Sequence, residues 1–420
     1  MTGPVPSLVV SPPREKLRIF YLSYCSPTPT WGGAMAFYRH FIERPDFETM
    51  VATNVPNFPQ ELVSYRPFRY DSSRLRRRLL RTRLAPWLEG LQALGYLGNP
   101  IKDVLAAARS FAPDAVFTVA GSWDASALLA QELASRLRVP LVASFNDWFN
   151  FGWFPAHRFF HRAIERRFRR FYHEADVALC TSEGMREELG ENPRAHILYP
   201  TGALMDLAAG GESEPWRPGH RPFTVGFAGS LSEWYGRMLE RLISAVRRAG
   251  IPLDFRIFGS NASWSQAFDT EVKAEGIYLG HLPFEQLSEE MARVDALLLP
   301  MGFEEQAALV ERTSFKTKFL DYLTYRKPIV VWGPGYCSAV RVAREFDSAA
   351  VCADEKEDSV IRMLTDLSAR PERQRELVER AMRMYEDRFH PDRIHGGLVR
   401  VIAAAVAENR KNGHREGAVA

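Results

Sequence analysis

Three neighbouring stretches decide how this chain folds. They are Gly276-Ile-Tyr-Leu-Gly-His-Leu-Pro-Phe-Glu-Gln-Leu287, Val294-Asp-Ala-Leu-Leu-Leu-Pro-Met301 and Thr313-Ser-Phe-Lys-Thr-Lys-Phe-Leu-Asp-Tyr-Leu-Thr-Tyr-Arg-Lys-Pro-Ile-Val-Val331. The short apolar runs show no polar alternation, as expected of strands buried on both faces. Between the second and third stretches the sequence reads as a loop. A helix is then expected from Ser314, a good N-cap, to Pro328, which stops it before a buried strand. Within that helix Ser314, Lys318 and Asp321 fall at i, i+4 and i+7 on one face. Phe315, Phe319 and Tyr322 share the same spacing on the next face and point to the core. The polar face therefore offers a hydroxyl, an ammonium and a carboxylate, and free amides at the helix start suit a diphosphate. Lys318 can pair with phosphate, and Asp321 can accept from ribose hydroxyls. A solvated amphipathic helix with a Lys318–Asp321 ion pair uses the same residues. The position after a buried strand ending in Leu-Leu-Leu-Pro favours the site.

Outward from there, short apolar strands alternate with helical stretches along the whole chain. The N-terminal half has candidate strands at Leu17–Leu22, Thr49–Thr53, Ala115–Ala120, Leu141–Phe145, Val177–Thr181 and His196–Tyr199. The C-terminal half has them at Thr224–Ala228, Asp254–Phe258, Ile277–Leu279, Ala296–Leu299, Ile329–Trp332 and Ala349–Cys352. The alternation predicts an α/β chain of two doubly wound, Rossmann-like parallel-sheet domains. The expected boundaries are a tail over 1–16, an N-terminal acceptor-side domain over 17–205 and a breaker-rich linker over 206–222. A C-terminal nucleotide-sugar domain follows over 223–385, then a helix over 386–408 that packs back on the N-terminal domain, and a polar tail over 409–420. The ligand cleft should lie between the carboxyl ends of the two sheets.

Composition sets the class. The chain has 420 residues, 46% hydrophobic and 25% charged, with a formal net charge of +3. That length exceeds one comfortable core, and the near-balanced charge implies no strongly charged partner. The four cysteines are far apart in sequence, which reads as reduced thiols in a cytoplasmic protein. The first 16 residues lack a long apolar run and read as a tail rather than a signal peptide. No run approaches the length of a membrane-spanning helix.

The Gly276–Trp332 region resembles the donor-binding half of family 4 glycosyltransferases, whose two Rossmann-like domains face a cleft in the arrangement called GT-B. The residues that carry the resemblance are Ser314, Lys318, Asp321-Tyr322-Leu323 and Lys327-Pro328. They are similar to Ser-x-Pro-x-Lys-x-x-Glu-Tyr-Leu…Lys-Pro in a subset of that family, with Asp in place of Glu. The resemblance implies transfer of a sugar from a nucleoside-diphosphate sugar to a hydroxyl acceptor, with retention and without a metal. It implies that Asp321 holds ribose, that Thr313 to Phe315 amides face the phosphates, and that Gly280, His281 and Leu282 flank the nucleobase. UDP and GDP donors both fit, as co-substrate rather than resident cofactor.

The chain also departs from the family pattern. The turn Gly229-Ser230-Leu231 stands where the family places Gly-Arg-Leu, and Tyr235 stands where a Lys is frequent. Two phosphate-gripping cations are therefore missing; Arg237, Arg256 and Lys316 are candidate substitutes, and Gly259 closes the next strand beside them. In the N-terminal half Gly32-Gly33 opens a helix after the first strand. Asn146-Asp147-Trp148 replaces a frequent His-Asp at a strand's carboxyl end, where Asp147 can bind an acceptor hydroxyl or act as base. Asp147 and Lys318 are the candidate catalytic residues, and Gly32, Gly33, Asn146 and Trp148 the acceptor-side ones. His157 and His161 lack the Glu that a His-Glu-x-x-His zinc motif requires, so no metal is expected.

Arg74–Trp87 is a cationic amphipathic stretch that suits an anionic membrane surface, and His157–Tyr172 is a second Arg-rich one. Nucleic acid is not expected, since no binding motif accompanies the charge. The expectation is a cytoplasmic protein, peripheral on the inner membrane face, acting on a lipid-linked acceptor or surface-polysaccharide precursor. Two other readings stay open: a non-catalytic relative that binds a nucleotide or partner, and a sugar-nucleotide epimerase of the same architecture.

Overall fold

A computed structural model describes residues 16–29, 32–53, 65–69, 78–79, 81–97, 101–121, 123, 125–149, 156–202 and 221–417. Both sheets are wholly parallel. The N-terminal sheet holds β1 (Leu17–Leu22), β2 (Phe47–Thr53), β3 (Tyr65–Arg69), β4 (Ala115–Val119), β5 (Leu141–Phe145), β6 (Val177–Cys180) and β7 (Ala195–Ile197), in the order β3-β2-β1-β4-β5-β6-β7. The C-terminal sheet holds β8 (Phe223–Ala228), β9 (Leu253–Phe258), β10 (Ala296–Pro300), β11 (Ile329–Trp332) and β12 (Ala350–Cys352), in the order β12-β11-β10-β8-β9. Strand order reverses between β1 and β4 in the first sheet and between β8 and β10 in the second. Crevices open at such reversals, at the carboxyl ends of the strands. The chain is thus α/β with two Rossmann-like domains.

The central strands are apolar because helices cover both of their faces. Every residue of β4, β5, β6, β10 and β11 is buried. Three expectations need correction. β3 carries Arg66, Pro67 and Arg69 and lies at a sheet edge, so it lacks the apolar signature of the other strands. The stretch Ile277–Leu279 contributes a single bridge, Ile257 to Tyr278, rather than a strand. Most of the 206–222 linker lies outside the described residues, as do tail residues 1–15.

The third correction concerns the C-terminus. A helix runs without a break from Pro391 to Gly417, through most of the stretch expected to be a polar tail. Its apolar side, Leu398, Ile402 and Val406, joins the core of the N-terminal sheet with Ile19, Phe37 and Phe117. Asn409 donates to the Arg138 carbonyl at 2.9 Å and Arg410 to Asp114 at 2.6 Å. Those partners belong to the N-terminal domain and hold the last turns where local sequence reads only as polar.

Candidate active site

At the carboxyl ends of β8 and β9 the backbone packs against itself. Gly229 N–H donates to the Phe258 carbonyl at 2.9 Å, and Gly259 N–H to the Gly280 carbonyl at 2.8 Å. Gly259 has φ +151°, and a Cβ there would lie 1.8 Å from the Gly229 oxygen. Only glycine permits that approach. At Gly229, with φ +146°, a Cβ would fall 2.0 Å from both Cε and Nζ of Lys318. The Gly229 turn is therefore the seat of the Lys318 ammonium.

Lys318 is held by rings rather than by carboxylates. Its Nζ lies 4.7 Å from the Phe227 ring centroid and 5.4 Å from that of Tyr235. Burial, reinforced by the neighbouring Lys316 charge, lowers its pKa to about 7. Lys318 thus brings an amine to the turn where Ser230 and Tyr235 carry no cation. Ser230 is exposed and bonds to Ser232 at 2.8 Å.

Beside Lys318 is a residue that local sequence did not single out. Glu311 is fully buried. Its Oε1 accepts from Trp234 Nε1 at 2.9 Å, the Tyr235 hydroxyl at 3.1 Å and the Gly302 amide at 3.1 Å. Its Oε2 pairs with Lys316 Nζ at 3.1 Å. Burial opposes charge on Lys316, but Tyr235 and Glu311 outweigh it and hold the ammonium well above its usual range. Lys316 is therefore spent on Glu311. The sequence signal was the spacing of Ala307, Val310 and Glu311 at i, i+3 and i+4 in a segment expected to be a loop.

That segment is α1 of the site, Glu305–Thr313, and it corrects the reading of Ser314. Ser314 ends this helix instead of starting one, and its amide donates to the Val310 carbonyl at 2.8 Å. The Thr313 carbonyl accepts from Ser182 Oγ at 2.6 Å. The following helix, α2 (Thr317–Leu323), starts three residues later than expected. Thr313 and Ser314 thus do not offer a phosphate a helix N-terminus. The helix extends through Thr313 because its residues are good helix formers, and burial of Phe315 then turns the chain.

Ser314 instead crosses the cleft. Its hydroxyl donates to Asp147 Oδ1 at 2.6 Å, just beyond β5. Burial raises the Asp147 pKa, while the Ser314 hydrogen bond and the Lys316 charge pull the other way. Gly121, after β4, lies so close that a Cβ would meet the Asp147 amide nitrogen at 2.8 Å. Asn146 accepts from Ser144 Oγ at 2.7 Å. Trp148 needs correction as an acceptor-side residue: it is 2% exposed, 5.5 Å from the Phe168 ring, with Arg169 over its face. It belongs to the core of the domain.

Gly32 and Gly33 are the first residues of the helix Gly32–Phe41, which begins beyond β1. Arg39 on that helix lies 3.8 Å from Asp321 Oδ1. His281 is exposed and Leu282 half-buried, following Gly280. Arg256 does not join the site. It donates to the Gly276 carbonyl at 3.0 Å, three residues short of Gly259, in a groove of about 820 Å³ shared with Arg221 and Thr224. Arg237 pairs with Glu304 at 3.5 Å. Among the described residues no group of three or more His, Cys, Asp or Glu side chains is placed to hold a metal. His157 accepts from the Phe159 amide and stacks on Trp87. All four cysteines are buried and free.

Residues 36–200 match the model of Glycosyltransferase Family 4. The matched residues lie within the N-terminal domain. Three of the matching solved structures share the fold over more than nine-tenths of this chain. The Anabaena protein HepE, in complex with UDP, is 14% identical, covers 92% of this chain and 100% of its own, and has a TM-score of 0.66. A glycosyltransferase from Rickettsia africae is 11% identical over 93% of this chain and 99% of its own, with a TM-score of 0.64. Sucrose-phosphate synthase from Thermosynechococcus elongatus is 13% identical over 93% and 100%, with a TM-score of 0.63. No curated protein matches in sequence. The fold is therefore GT-B, and the family 4 match falls on the half that carries Asp147.

Proposed function

We propose that the chain transfers a sugar from a nucleoside-diphosphate sugar to a hydroxyl acceptor bound by the N-terminal domain. The observation that carries this reading is the seat of Lys318 in the Gly229 turn, at the crevice between β8 and β10. The neutral amine fraction of Lys318 takes up a proton when a diphosphate approaches, because the anion favours the charged form. It would then stabilise the departing diphosphate. Asp321 accepts from the ribose hydroxyls, the Gly229, Ser230 and Gly259 backbone lies along the diphosphate, and His281 and Leu282 border the base. Asp147, raised by burial and held by Ser314, faces the acceptor together with Asn146 and the Gly32-Gly33 helix start. Retention and independence of a resident metal follow the family resemblance. UDP is the first donor base to try, since HepE was solved with UDP.

An acceptor at an anionic membrane is the finer proposal. Residues 74–77 and 80 of the Arg74–Trp87 stretch lie outside the described residues. Its described end, with Leu84 57% and Trp87 44% exposed, meets Phe159, 71% exposed, from the second basic stretch. Trp87 stacks on His157 at 4.7 Å and lies 5.9 Å from Phe159. Arg81, Arg83 and Arg158 flank this patch in sequence, a pattern suited to anionic headgroups. No described helix is long and apolar enough to cross a membrane.

The test is calorimetry with UDP and GDP, followed by mass spectrometry of UDP- and GDP-sugars with and without membrane extract. Acceptor-dependent release of nucleoside diphosphate supports transfer. Conversion of the donor without acceptor supports an epimerase, and tight nucleotide binding without turnover supports a non-catalytic relative. Either result removes the transferase reading.

A further inference from the structure

A chain of four side chains, three of them buried, runs from the first turns of the C-terminal helix to the cleft. Asp46 Oδ2 lies 3.1 Å from His395 Nε2, and His395 Nδ1 lies 3.2 Å from His40 Nδ1. His40 Nε2 lies 2.7 Å from Thr201 Oγ1. His40, His395 and Thr201 are each under 5% exposed. The backbone carbonyl of that same Thr201 accepts from Arg39 Nη1 at 2.6 Å, and Arg39 Nη1 lies 3.8 Å from Asp321 Oδ1.

The protons in this chain have one consistent arrangement. Burial lowers the pKa of both histidines; for His40 the neighbouring His395, Arg44 and Arg39 add to it and bring the value to about 3. Both rings are therefore neutral near pH 7. The Asp46 carboxylate can only accept, so His395 carries its proton on Nε2 and leaves Nδ1 bare. His40 must then donate through Nδ1, which leaves its Nε2 to accept from the Thr201 hydroxyl. Each member has one role, and Thr201 is fixed from its side chain while its carbonyl holds Arg39. Arg44, Asp392 and the Phe41 and Phe47 rings complete the surroundings.

We propose that Arg39, from the N-terminal domain, is a positioning residue of the nucleoside site. It orients the Asp321 carboxylate toward the ribose diol and is held in place by the Asp46–His395–His40–Thr201 chain. This inference rests on the donor-site reading above. An aspartate side chain has a choice of staggered rotamers, and the one adopted on this seven-residue helix buries Oδ1 on the Arg39 side. A guanidinium anchored on a buried carbonyl selects one of them at little entropic cost. The C-terminal helix, by supplying His395, thereby contributes to nucleotide recognition although its residues lie outside the donor domain's sheet.

The readout is discrimination between a ribose and a 2′-deoxyribose. Wild-type protein, Arg39→Ala, Arg39→Lys and His395→Phe are titrated with UDP, dUDP, GDP and dGDP, and each variant's melting temperature is recorded. Wild type should prefer the ribonucleotide. Arg39→Ala should lose about tenfold in affinity for it, about 1.4 kcal/mol, with little change for the deoxynucleotide. Arg39→Lys should recover part of the preference, and His395→Phe, which keeps the volume but breaks the chain, should weaken it. An Arg39→Ala protein with the wild-type ratio, through no loss or through equal loss on both ligands, overturns the inference. A wild type that binds none of the four nucleotides rejects the donor-site reading and this inference with it. A change in melting temperature alone, with the ratio intact in all variants, marks Arg39 and His395 as structural and also overturns it.

Discussion

Ser314 and Asp147 stand 167 positions apart in sequence, and a hydrogen bond of 2.6 Å joins them across the cleft. The bond ties the end of a C-terminal-domain helix to the loop after β5, and it favours the ionised form of a carboxyl whose pKa burial raises. Removing the hydroxyl should raise the Asp147 pKa further. The pH–rate profile of Ser314→Ala should therefore show its acidic limb moved to higher pH, because the carboxylate form is needed as base or hydroxyl acceptor. Stability should fall by about 1–3 kcal/mol, the cost of leaving a buried acceptor unmatched. An unmoved acidic limb would show that Asp147 does not take part in the rate.

Lys318 should titrate near neutrality in the free protein. Its pKa is lowered to about 7, against 10.5 for an ordinary lysine. Between those two values the unfolded chain binds more protons at this group, so its contribution makes stability rise with pH across that window. A bound diphosphate should raise the value, so nucleotide binding at pH 8 should take up a proton. Calorimetry in buffers of different ionisation enthalpy would measure that uptake. Lys318→Met should abolish it and weaken UDP binding by about 10- to 150-fold, equivalent to about 1.5–3 kcal/mol for a charged hydrogen bond. Equal enthalpies in all buffers for the wild type would refute the assignment.

Glu311→Gln should be severely destabilising for a surface-looking change. It leaves Lys316 buried beside Lys318 without a counter-charge. Breaking such a pair costs about 3–5 kcal/mol, which urea denaturation would register. The substitution should also lower the Lys318 pKa, since Glu311 supports its charged form. A loss below 1 kcal/mol would indicate that water reaches Lys316.

Among the described glycines, Gly184 makes the tightest contact between the two domains that a single methyl can test. It is the second residue of the helix Glu183–Leu189, and a Cβ there would lie 2.0 Å from the Arg312 carbonyl oxygen. Nearby, Arg341 forms two 2.7 Å hydrogen bonds to Glu187. Gly184→Ala should push the domains apart, increase the radius of gyration in X-ray scattering and reduce turnover, while circular dichroism stays unchanged. A variant with wild-type scattering and activity would mean that the contact yields without moving either domain.

The patch of Leu84, Trp87 and Phe159 should bind anionic bilayers. Flotation with vesicles of phosphatidylcholine alone and with added phosphatidylglycerol should show retention only with the anionic lipid. Leu84→Ser, Trp87→Ser and Phe159→Ser together should release the protein while nucleotide binding persists. Equal flotation on both vesicles, or none on either, removes the membrane proposal and leaves the transferase reading in place.

Most of the architecture was legible from one signal. Short apolar runs such as Leu141–Phe145 and Ile329–Trp332 lie between helices on both faces, so local composition alone marks them as parallel-sheet strands. β3 escaped because an edge strand with two arginines and a proline has no such composition. Sequence by itself determined the double Rossmann-like plan, the glycine turns after β8 and β9, and the placement of Lys318 and Asp321 on one helix. Tertiary structure decided what those residues meet. Spacing placed Ser314 on a helix start, but burial of Glu311 and Phe315 put it at a helix end, where it reaches Asp147. Its place at a strand's carboxyl end made Trp148 a cleft residue, whereas packing against Phe168 made it core. Arg39, His40 and His395 look unremarkable in sequence. They converge because the last helix returns to the first domain, and a hydrogen-bond chain between residues over 300 positions apart exists only once that return has been made.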